Sequence, residues 1–234
     1  MQVNKEGILE FLNEMCKMAV DCECKDVDKV MNLYCTYIDE KKENFDKFFA
    51  SMYKVTKMLK QDLDFFFESD PAANNKEEIL LAYPGYKAVV YYRIAHELYR
   101  LGIYLPARII TEEAHFSTGI DIHPGATIDS PFFIDHGTGI VIGETAILGH
   151  HVKMYQGVTL GALSLSKGHA MKGTKRHPTI KNNVTIYANA SILGGDVVIG
   201  NNVTIGGNVF LMESVPDNTK VVISKPELII SSKN

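Results

Sequence analysis

The sequence has little positive charge. Only four of its 234 residues are arginine, and the formal net charge is -4 at pH 7. Proteins that bind nucleic acid or acidic membrane surfaces usually carry a basic patch that neutralises phosphate groups. The composition therefore argues against a nucleic-acid partner and against an acidic membrane surface.

Long apolar runs are also missing. No stretch approaches the roughly 20 apolar residues that a membrane helix needs. The N-terminus, where Asn4, Lys5 and Glu6 lead into mixed sequence, has no signal-peptide core. We therefore expect a cytoplasmic protein without a membrane partner, and its apolar content of 46% is ample for a buried core.

Cysteine is absent after position 35. The four cysteines are Cys16, Cys22, Cys24 and Cys35. Cys22 and Cys24 lie two positions apart, with no second metal-type pair or nearby histidine, and a cytosolic setting keeps thiols reduced. We therefore expect reduced thiols on helix faces rather than disulfides or a zinc site.

What the sequence does contain is a six-residue repeat between Asp121 and Val215. An apolar residue opens each unit, and a small or β-branched residue follows four positions later. The opening residues are Ile122, Ile134, Ile142, Leu148, Met154, Leu160, Ile180, Ile186, Ile192, Ile199, Ile205 and Leu211. This pattern is typical of a parallel β-helix, in which three units close one triangular coil and the opening residues point inwards.

Helical spacing precedes the repeat. Apolar residues recur at intervals of three and four between positions 6 and 67, which predicts two or three helices. Residues 86–101 predict one further amphipathic helix that Gly102 ends. We therefore predict an α+β protein with three segments: an α-helical domain at 1–116, a β-helix at 117–216 and a C-terminal tail at 217–234.

Two interruptions of the repeat have no use in a regular coil, so both predict functional segments. The first adds two residues around Asp135-His136, and the second is a long loop at 161–178 that closes on Arg176-His177. Histidine accepts a proton near neutral pH, and a carboxylate behind it stabilises the imidazolium. The planar fork of Arg176 suits the carboxylate of an amino acid.

The carboxylate that orients His136 is expected to come from another coil. Neighbours on a strand face opposite ways, so Asp135 and His136 should point apart. Asp121 lies fifteen residues before His136, nearly one coil of about eighteen residues away. The spacing therefore favours Asp121 over Asp135 as the partner of His136.

Six motifs follow one another in order between about Asp70 and Val215. They are Asp70-Pro-Ala, Tyr92-Arg-Ile-Ala-His-Glu-Leu, Gly119-Ile-Asp-Ile-His-Pro-Gly-Ala, Ile134-Asp-His-Gly-Thr-Gly-Ile-Val-Ile-Gly-Glu-Thr-Ala, Gly157-Val-Thr-Leu-Gly and Arg176-His-Pro. In this order they resemble serine O-acetyltransferase, a hexapeptide-repeat acyltransferase of cysteine biosynthesis. The resemblance implies a left-handed coil and transfer of the acetyl group of acetyl-CoA to the hydroxyl of L-serine, giving O-acetyl-L-serine and CoA.

The resemblance also implies residue roles. The activated serine oxygen would attack the thioester directly, without a covalent acyl-enzyme and without a metal. The CoA arm would lie along coil edges, where small side chains let it approach. The implied residues are the catalytic base His136 and its orienting partner Asp121, the ammonium ligands Asp70 and Asp135, the carboxylate ligands Arg176 and His177, and the CoA contacts Gly161, Ala162, Ala188 and Gly207.

Assembly is a further implication of the resemblance. It implies a homotrimer with active sites between neighbouring prisms, and a helical domain that joins two trimers into a hexamer. Many relatives end in an isoleucine that enters the active site of O-acetylserine sulfhydrylase, whereas this sequence ends in Asn234. The usual anchor for that partner enzyme is therefore missing from the sequence.

Three other functions fit parts of the pattern. A hexapeptide acetyltransferase acting on a different hydroxyl, such as that of a sugar, would keep a histidine base but would not need Asp70 together with Arg176-His177. A metal-dependent lyase of the γ-carbonic anhydrase kind has the same prism and binds metal through histidines. A β-helix scaffold for a partner enzyme would need neither a histidine base nor the carboxylate-binding pair Arg176-His177. The histidines that could bind the metal of such a lyase are His123, His136, His150, His151 and His177.

Overall fold

Six helices precede a parallel β-helix in the computed structural model, which describes residues 4–21, 26–164, 168 and 173–224. The helices in this part of the chain are α1 (Lys5–Asp21), α2 (Val27–Tyr37), α3 (Lys42–Ser69), α4 (Lys76–Ala82), α5 (Pro84–Arg100) and α6 (Tyr104–Thr118). The strands described after them are β1 (Asp121–Ile122), β2 (Thr127–Ile128), β3 (Phe132–Asp135), β4 (Val141–Ile142), β5 (Ile147–Leu148), β6 (Val152–Tyr155), β7 (Thr159–Gly161), β8 (Thr179–Ile180), β9 (Thr185–Ile186), β10 (Ser191–Leu193), β11 (Val198–Ile199), β12 (Thr204–Ile205), β13 (Phe210–Leu211) and β14 (Lys220–Val221).

The strands form three parallel sheets that the chain visits in turn. Sheet A has the order β1-β4-β7-β10-β13, sheet B has the order β2-β5-β8-β11, and sheet C has the order β3-β6-β9-β12-β14. Each strand therefore pairs with the strand one coil before it and one coil after it, which makes a β-helix of about five turns. The predicted α+β fold class, helices followed by a parallel β-helix, is confirmed.

The inward positions of the repeat form the core of the β-helix. Ile122, Ile142, Leu160 and Ile192 stack in register across sheet A, and all four are buried. Such burial contributes about 25 cal/mol for each Å² of apolar surface removed from water. Leu211 continues the stack but is only half-buried, because β13 is the last strand of sheet A among the described residues.

Turns join the sheets along three edges of the prism. We name the edges after the sheets that they connect, in chain order. The C–A edge consists of residues 136–140, 156–158, 187–190 and 206–209; the A–B edge of residues 123–126, 143–146, 194–197 and the described part of 162–178; and the B–C edge of residues 129–131, 149–151, 181–184 and 200–203.

A buried ion pair attaches the helices to the β-helix. Arg93 of α5 donates from Nε to Asp62 Oδ2 of α3 at 2.5 Å and from Nη2 to Asp62 Oδ1 at 2.9 Å. Arg93 also donates to the carbonyl of Ile128 at 3.1 Å, and Asp62 accepts the N–H of Phe132 at 2.9 Å. These contacts fix α3 and α5 over the turn between β2 and β3, and they therefore fix Asp70, which follows α3.

Two of the four cysteines, Cys16 and Cys35, lie in the described part of the chain. Cys16 and Cys35 are free, half-buried thiols on α1 and α2, and burial raises the pKa of Cys16 to about 12. Cys22 and Cys24 lie outside the described residues.

No helix in the described part of the chain combines the length and the apolar character that crossing a membrane requires.

Candidate active site

Asp135 and His136 lie together at the C–A edge. Strand β3 ends at Asp135, and His136 has a positive φ of 58°. The alternation of side chains between the two faces of the strand therefore does not extend to His136. His136 Nε2 lies 3.7 Å from Asp135 Oδ1, and the His136 side chain is 72% exposed. The prediction that the two side chains point apart is therefore wrong, because His136 is in a turn and not in the strand.

Asp70 reaches the same edge from the helical layer. Its Oδ1 accepts the N–H of Ala72 at 2.8 Å, and its Oδ2 accepts the hydroxyl of Tyr83 at 2.6 Å. The hydrogen bond to Asp70 is the main cause that raises the pKa of Tyr83 to about 12, and the charge of Asp135 contributes. Burial raises the pKa of Tyr155, which pairs with Asp135 across sheet C, and the charges of both aspartates add to this effect. The charges of Asp70 and Asp135 therefore both act on Tyr83 and on Tyr155, and we call these two aspartates the acidic cluster.

Asp121 lies one coil earlier, on β1 of sheet A. Its backbone N–H donates to the carbonyl of Ile140 at 2.9 Å, so it lies beside the turn that carries His136. Nη1 of Arg108, from α6, is 3.7 Å from Asp121 Oδ1. Among the described residues no hydrogen bond or ion pair joins Asp121 to His136. Asp121 therefore lies beside the turn at 136–140, but the carboxylate within 3.7 Å of the His136 imidazole is that of Asp135.

His177 lies at the A–B edge and is only 7% exposed. Its Nδ1 receives the N–H of Thr145 at 3.0 Å, and the Thr145 hydroxyl lies 2.9 Å from the same nitrogen. Because Nδ1 is the acceptor, neutral His177 carries its proton on Nε2. Burial, together with the positive charges of Arg176 and Lys175, lowers the pKa of His177 to about 4. A Cβ on Gly143 would overlap the imidazole, so that turn needs glycine.

Arg176 is held by residues that the sequence did not single out. Its Nη2 donates to Glu144 Oε2, and the Tyr99 hydroxyl donates to Glu144 Oε1 at 2.8 Å. Thr145 Oγ1 accepts the backbone N–H groups of Arg176 and His177 at 2.9 and 3.1 Å. The available sequence signal was a charged residue, Glu144, at a turn position of the repeat. The contact with Tyr99 has no such signal, because 45 residues separate the two.

Helix α5 shows that the two edges are far apart within one chain. Tyr83, just before α5, binds Asp70 at the C–A edge, and Tyr99, in the last turn of α5, binds Glu144 at the A–B edge. Sixteen residues at a rise of 1.5 Å separate their Cα atoms by about 24 Å. The chain therefore holds an acid–base half-site (Asp70, Asp135 and His136) and a clamp half-site (Arg176 and His177), with sheet A between them.

His96, His150 and His151, which the structure describes, have other partners. His150 and His151 lie at the exposed B–C edge, with their Nδ1 atoms 2.8 Å apart. His96 Nδ1 is 2.8 Å from the carbonyl oxygen of Pro124, which makes it a structural histidine between α5 and the β-helix. Within the described ranges, no three His, Cys, Asp or Glu side chains gather closely enough to hold a metal ion.

Comparison with known proteins agrees with this geometry. No family model matches the sequence. A serine acetyltransferase from Helicobacter pylori is 49% identical over 126 residues, which are 54% of this chain and 70% of that protein. The crystal structure of Entamoeba histolytica serine acetyltransferase 1 in complex with L-cysteine matches with a TM-score of 0.81 and 37% identity, covering 95% of this chain and 88% of that one. The chain belongs to the serine acetyltransferase family.

Other serine acetyltransferases are matched to different extents. The aligned stretches span 44% of the plasmid enzyme of Synechococcus elongatus and 56% of the Bacillus subtilis enzyme, so the chain spans about half the length of these curated relatives. Their identities are 49% over 140 residues and 51% over 127 residues. The structure of the Neisseria gonorrhoeae serine acetyltransferase in complex with serine has a TM-score of 0.70 and 28% identity, covering 92% of this chain and 97% of that one.

Serine acetyltransferases use acetyl-CoA as co-substrate, and the residues predicted to contact it are divided between the same two edges. Gly161 is the last residue of β7 and Ala162 begins the A–B edge, whereas Ala188 and Gly207 occupy successive coils of the C–A edge. A Cβ on Gly207 would lie 3.2 Å from the Ala188 carbonyl oxygen, so a larger residue at this turn would crowd that carbonyl group. Residues 165–167 and 169–172 of the long loop beyond Ala162 lie outside the described residues.

Proposed function

We propose that this chain transfers the acetyl group of acetyl-CoA to the hydroxyl of L-serine, giving O-acetyl-L-serine and CoA for cysteine biosynthesis. The observation that carries the proposal is that Tyr83 binds Asp70, while Gly85, two residues later, packs on β3, the strand that ends at Asp135 beside His136. Two carboxylates beside a base suit an acceptor that has both an ammonium group and a hydroxyl. The family relative from Neisseria gonorrhoeae, whose structure contains serine, supports this acceptor.

His136 is the proposed general base. It removes the proton from the serine hydroxyl as the oxygen attacks the thioester carbonyl carbon of acetyl-CoA. The carbon–sulfur bond then breaks, and the CoA thiolate takes up the proton from the imidazolium. A carboxylate near the ring stabilises the imidazolium, with Asp121 as the orienting partner that the family resemblance implies.

The two half-sites match the two charged ends of serine. Asp70 and Asp135 would accept hydrogen bonds from the ammonium group. Arg176 would bind the carboxylate through its guanidinium, and His177 would donate its Nε2 proton to the same group. Because the pKa of His177 is about 4, this histidine donates as a neutral ring at physiological pH. Glu144 and Thr145 hold the pair in place.

A homotrimer would bring the half-sites together. The ammonium and carboxylate groups of serine share one carbon atom, whereas the half-sites of one chain lie on opposite edges of sheet A. In a cyclic trimer with sheet A facing the axis, the C–A edge of each chain lies beside the A–B edge of the next. The exposed Val141 and Phe210 of sheet A, at 38% and 61%, support such a buried contact.

The same interface would hold acetyl-CoA. Ala188 and Gly207 of one chain would line one side of the CoA arm, and Gly161 and Ala162 of the next chain would line the other side. The resemblance extends the proposal to a hexamer, in which the helical domain at 1–116 joins two trimers, and to a cytoplasmic enzyme.

Thiol release from acetyl-CoA tests the proposed reaction. The acceptors are L-serine, L-homoserine, L-threonine and an amino sugar, each with and without a chelator. We expect L-serine to give the fastest release, unchanged by the chelator. Release that does not depend on serine, or that is faster with the amino sugar, would overturn the proposal. Loss of activity with the chelator would instead favour a metal-dependent enzyme.

A further inference from the structure

The carboxylate of Asp70 is held at both oxygens. Oδ1 accepts the N–H of Ala72, two residues later, in a local turn that follows α3. Oδ2 accepts the hydroxyl of Tyr83, thirteen residues later, at 2.6 Å. The first contact only fixes the carboxylate relative to its own turn. The second contact is tertiary, and it fixes the carboxylate relative to the rest of the site.

Tyr83 is itself anchored to the strand that ends at Asp135. Gly85, two residues further on, packs against β3 so closely that a Cβ there would lie 2.6 Å from the Ile134 carbonyl oxygen. The half-buried Tyr83 ring therefore stands at the junction between the helices and the β-helix. Its hydroxyl binds the Asp70 carboxylate, and Gly85, two residues later, packs on the strand that carries the second carboxylate.

The acidic cluster has little compensating charge. Within the described residues neither Asp70 nor Asp135 forms an ion pair with lysine or arginine, and the cation nearest to Asp135 is the imidazole of His136 at 3.7 Å when that ring is protonated. Each carboxylate oxygen can accept more than one hydrogen bond, so the contacts with Ala72 and Tyr83 leave Asp70 able to accept others. Two partly satisfied carboxylates suit a primary ammonium group.

We propose that Tyr83 is a positioning residue: its hydroxyl holds the Asp70 carboxylate towards Asp135, so that both receive the ammonium group of the amino-acid acceptor. This inference rests on the proposed function and deepens it. Without the hydroxyl, Asp70 can rotate about χ1 into its other staggered positions. The ammonium would then lose one of its two carboxylates, while the base and the thioester keep their geometry.

The test is Tyr83→Phe, with kinetics measured separately for both substrates. A hydrogen bond to a charged group contributes enough for its loss to raise the KM for serine about 10-fold or more. The expected kcat stays within about 3-fold of the original, and the KM for acetyl-CoA does not change. Tyr86→Phe is the matched control, because the buried hydroxyl of Tyr86 on α5 donates to the carbonyl of Leu59 on α3 and not to a carboxylate of the acidic cluster. We expect Tyr86→Phe to leave the serine KM unchanged.

A double-mutant cycle separates positioning from a general structural effect. In the Asp70→Asn background, Tyr83→Phe should add little, because both changes act on the same carboxylate. An unchanged serine KM in Tyr83→Phe, or an equal KM increase in both backgrounds, would overturn the inference. If the unsubstituted protein releases no thiol with serine, the proposed function fails and the inference falls with it.

Discussion

At the scale of single residues, the proposed chemistry depends most on His136. We expect His136→Ala to lower kcat at least about 100-fold, because a positioned general base contributes typically 10²- to 10⁴-fold. The KM for acetyl-CoA should change little. Thiol-release kinetics provide the measurement, and His150→Ala, which removes an exposed histidine at the B–C edge, is the control. Near-normal turnover in His136→Ala would rule out its role as the base.

His177 gives the fold a pH dependence whose sign follows from its depressed pKa. The pKa is about 4 in the folded chain, against an ordinary value of 6.5. Between these pH values the unfolded chain binds more protons, so the free energy of unfolding should fall as pH decreases from about 6.5 to 4. Above about 6.5 this contribution is constant.

Urea unfolding at several pH values between 4 and 7.5 measures this dependence. We compare the original chain with His177→Gln, which keeps a polar side chain but does not titrate. The difference in unfolding free energy between the two should change with pH only below about 6.5. A difference that stays constant across this range would show that His177 is not held neutral by the fold.

At the scale of elements, the Asp62–Arg93 pair connects α3, α5 and the β-helix. We expect Arg93→Met to lower the free energy of unfolding by about 3–5 kcal/mol, because Asp62 would remain buried without its partner. Urea unfolding is again the measurement. The control is Lys76→Met, which breaks the exposed Lys76–Asp64 pair, whose side chains are 49% and 57% exposed. Its effect should stay below about 1 kcal/mol, and equally small effects would contradict the anchoring role of Arg93.

Periodic elements were predictable because burial repeats along the chain. One side chain of each six-residue unit has to face inwards, so the spacing identified buried positions such as Ile142 and Leu160. The helix ended by Gly102 was predicted from its apolar spacing, and Gly102 has the expected positive φ of 80°. The Asp62–Arg93 pair was not predictable, since a contact across 31 residues leaves no periodic pattern in one sequence.

The candidate site was predicted only in part. Its motifs pointed to Asp70, Asp135 and His136; the structure places Asp135 beside His136 and holds Asp70 through Tyr83, close to the strand that ends at Asp135. The motifs did not reveal the supporting contacts of Tyr83 and Tyr99, because a tyrosine on a helix looks like any other core residue until its hydroxyl partner is known. They also did not reveal the turn at His136, where strand alternation predicted the wrong orientation. The roles of the site residues stay predictions.

At the scale of the whole molecule, one chain holds the two halves of different sites. The Cα atoms of Tyr83 and Tyr99, which contact Asp70 and Glu144, lie about 24 Å apart along α5. We therefore infer that no single serine contacts both half-sites within one chain. A cyclic trimer provides each acid–base half-site with the clamp half-site of its neighbour. Oligomerisation would then be a requirement of the chemistry, because the ammonium and carboxylate ligands belong to different chains.

Mixing two inactive variants tests this account most directly. His136→Ala damages the acid–base half-site and keeps the clamp, whereas Arg176→Ala does the reverse. The two chains are co-expressed with different tags and purified on both tags, and thiol release is measured at a serine concentration well below the KM of the Arg176→Ala variant. In every mixed trimer one of the three interfaces keeps both intact halves, so the account predicts for each mixed trimer about one third of the serine-dependent activity of an original trimer. Activity no greater than that of the two variants alone would contradict it.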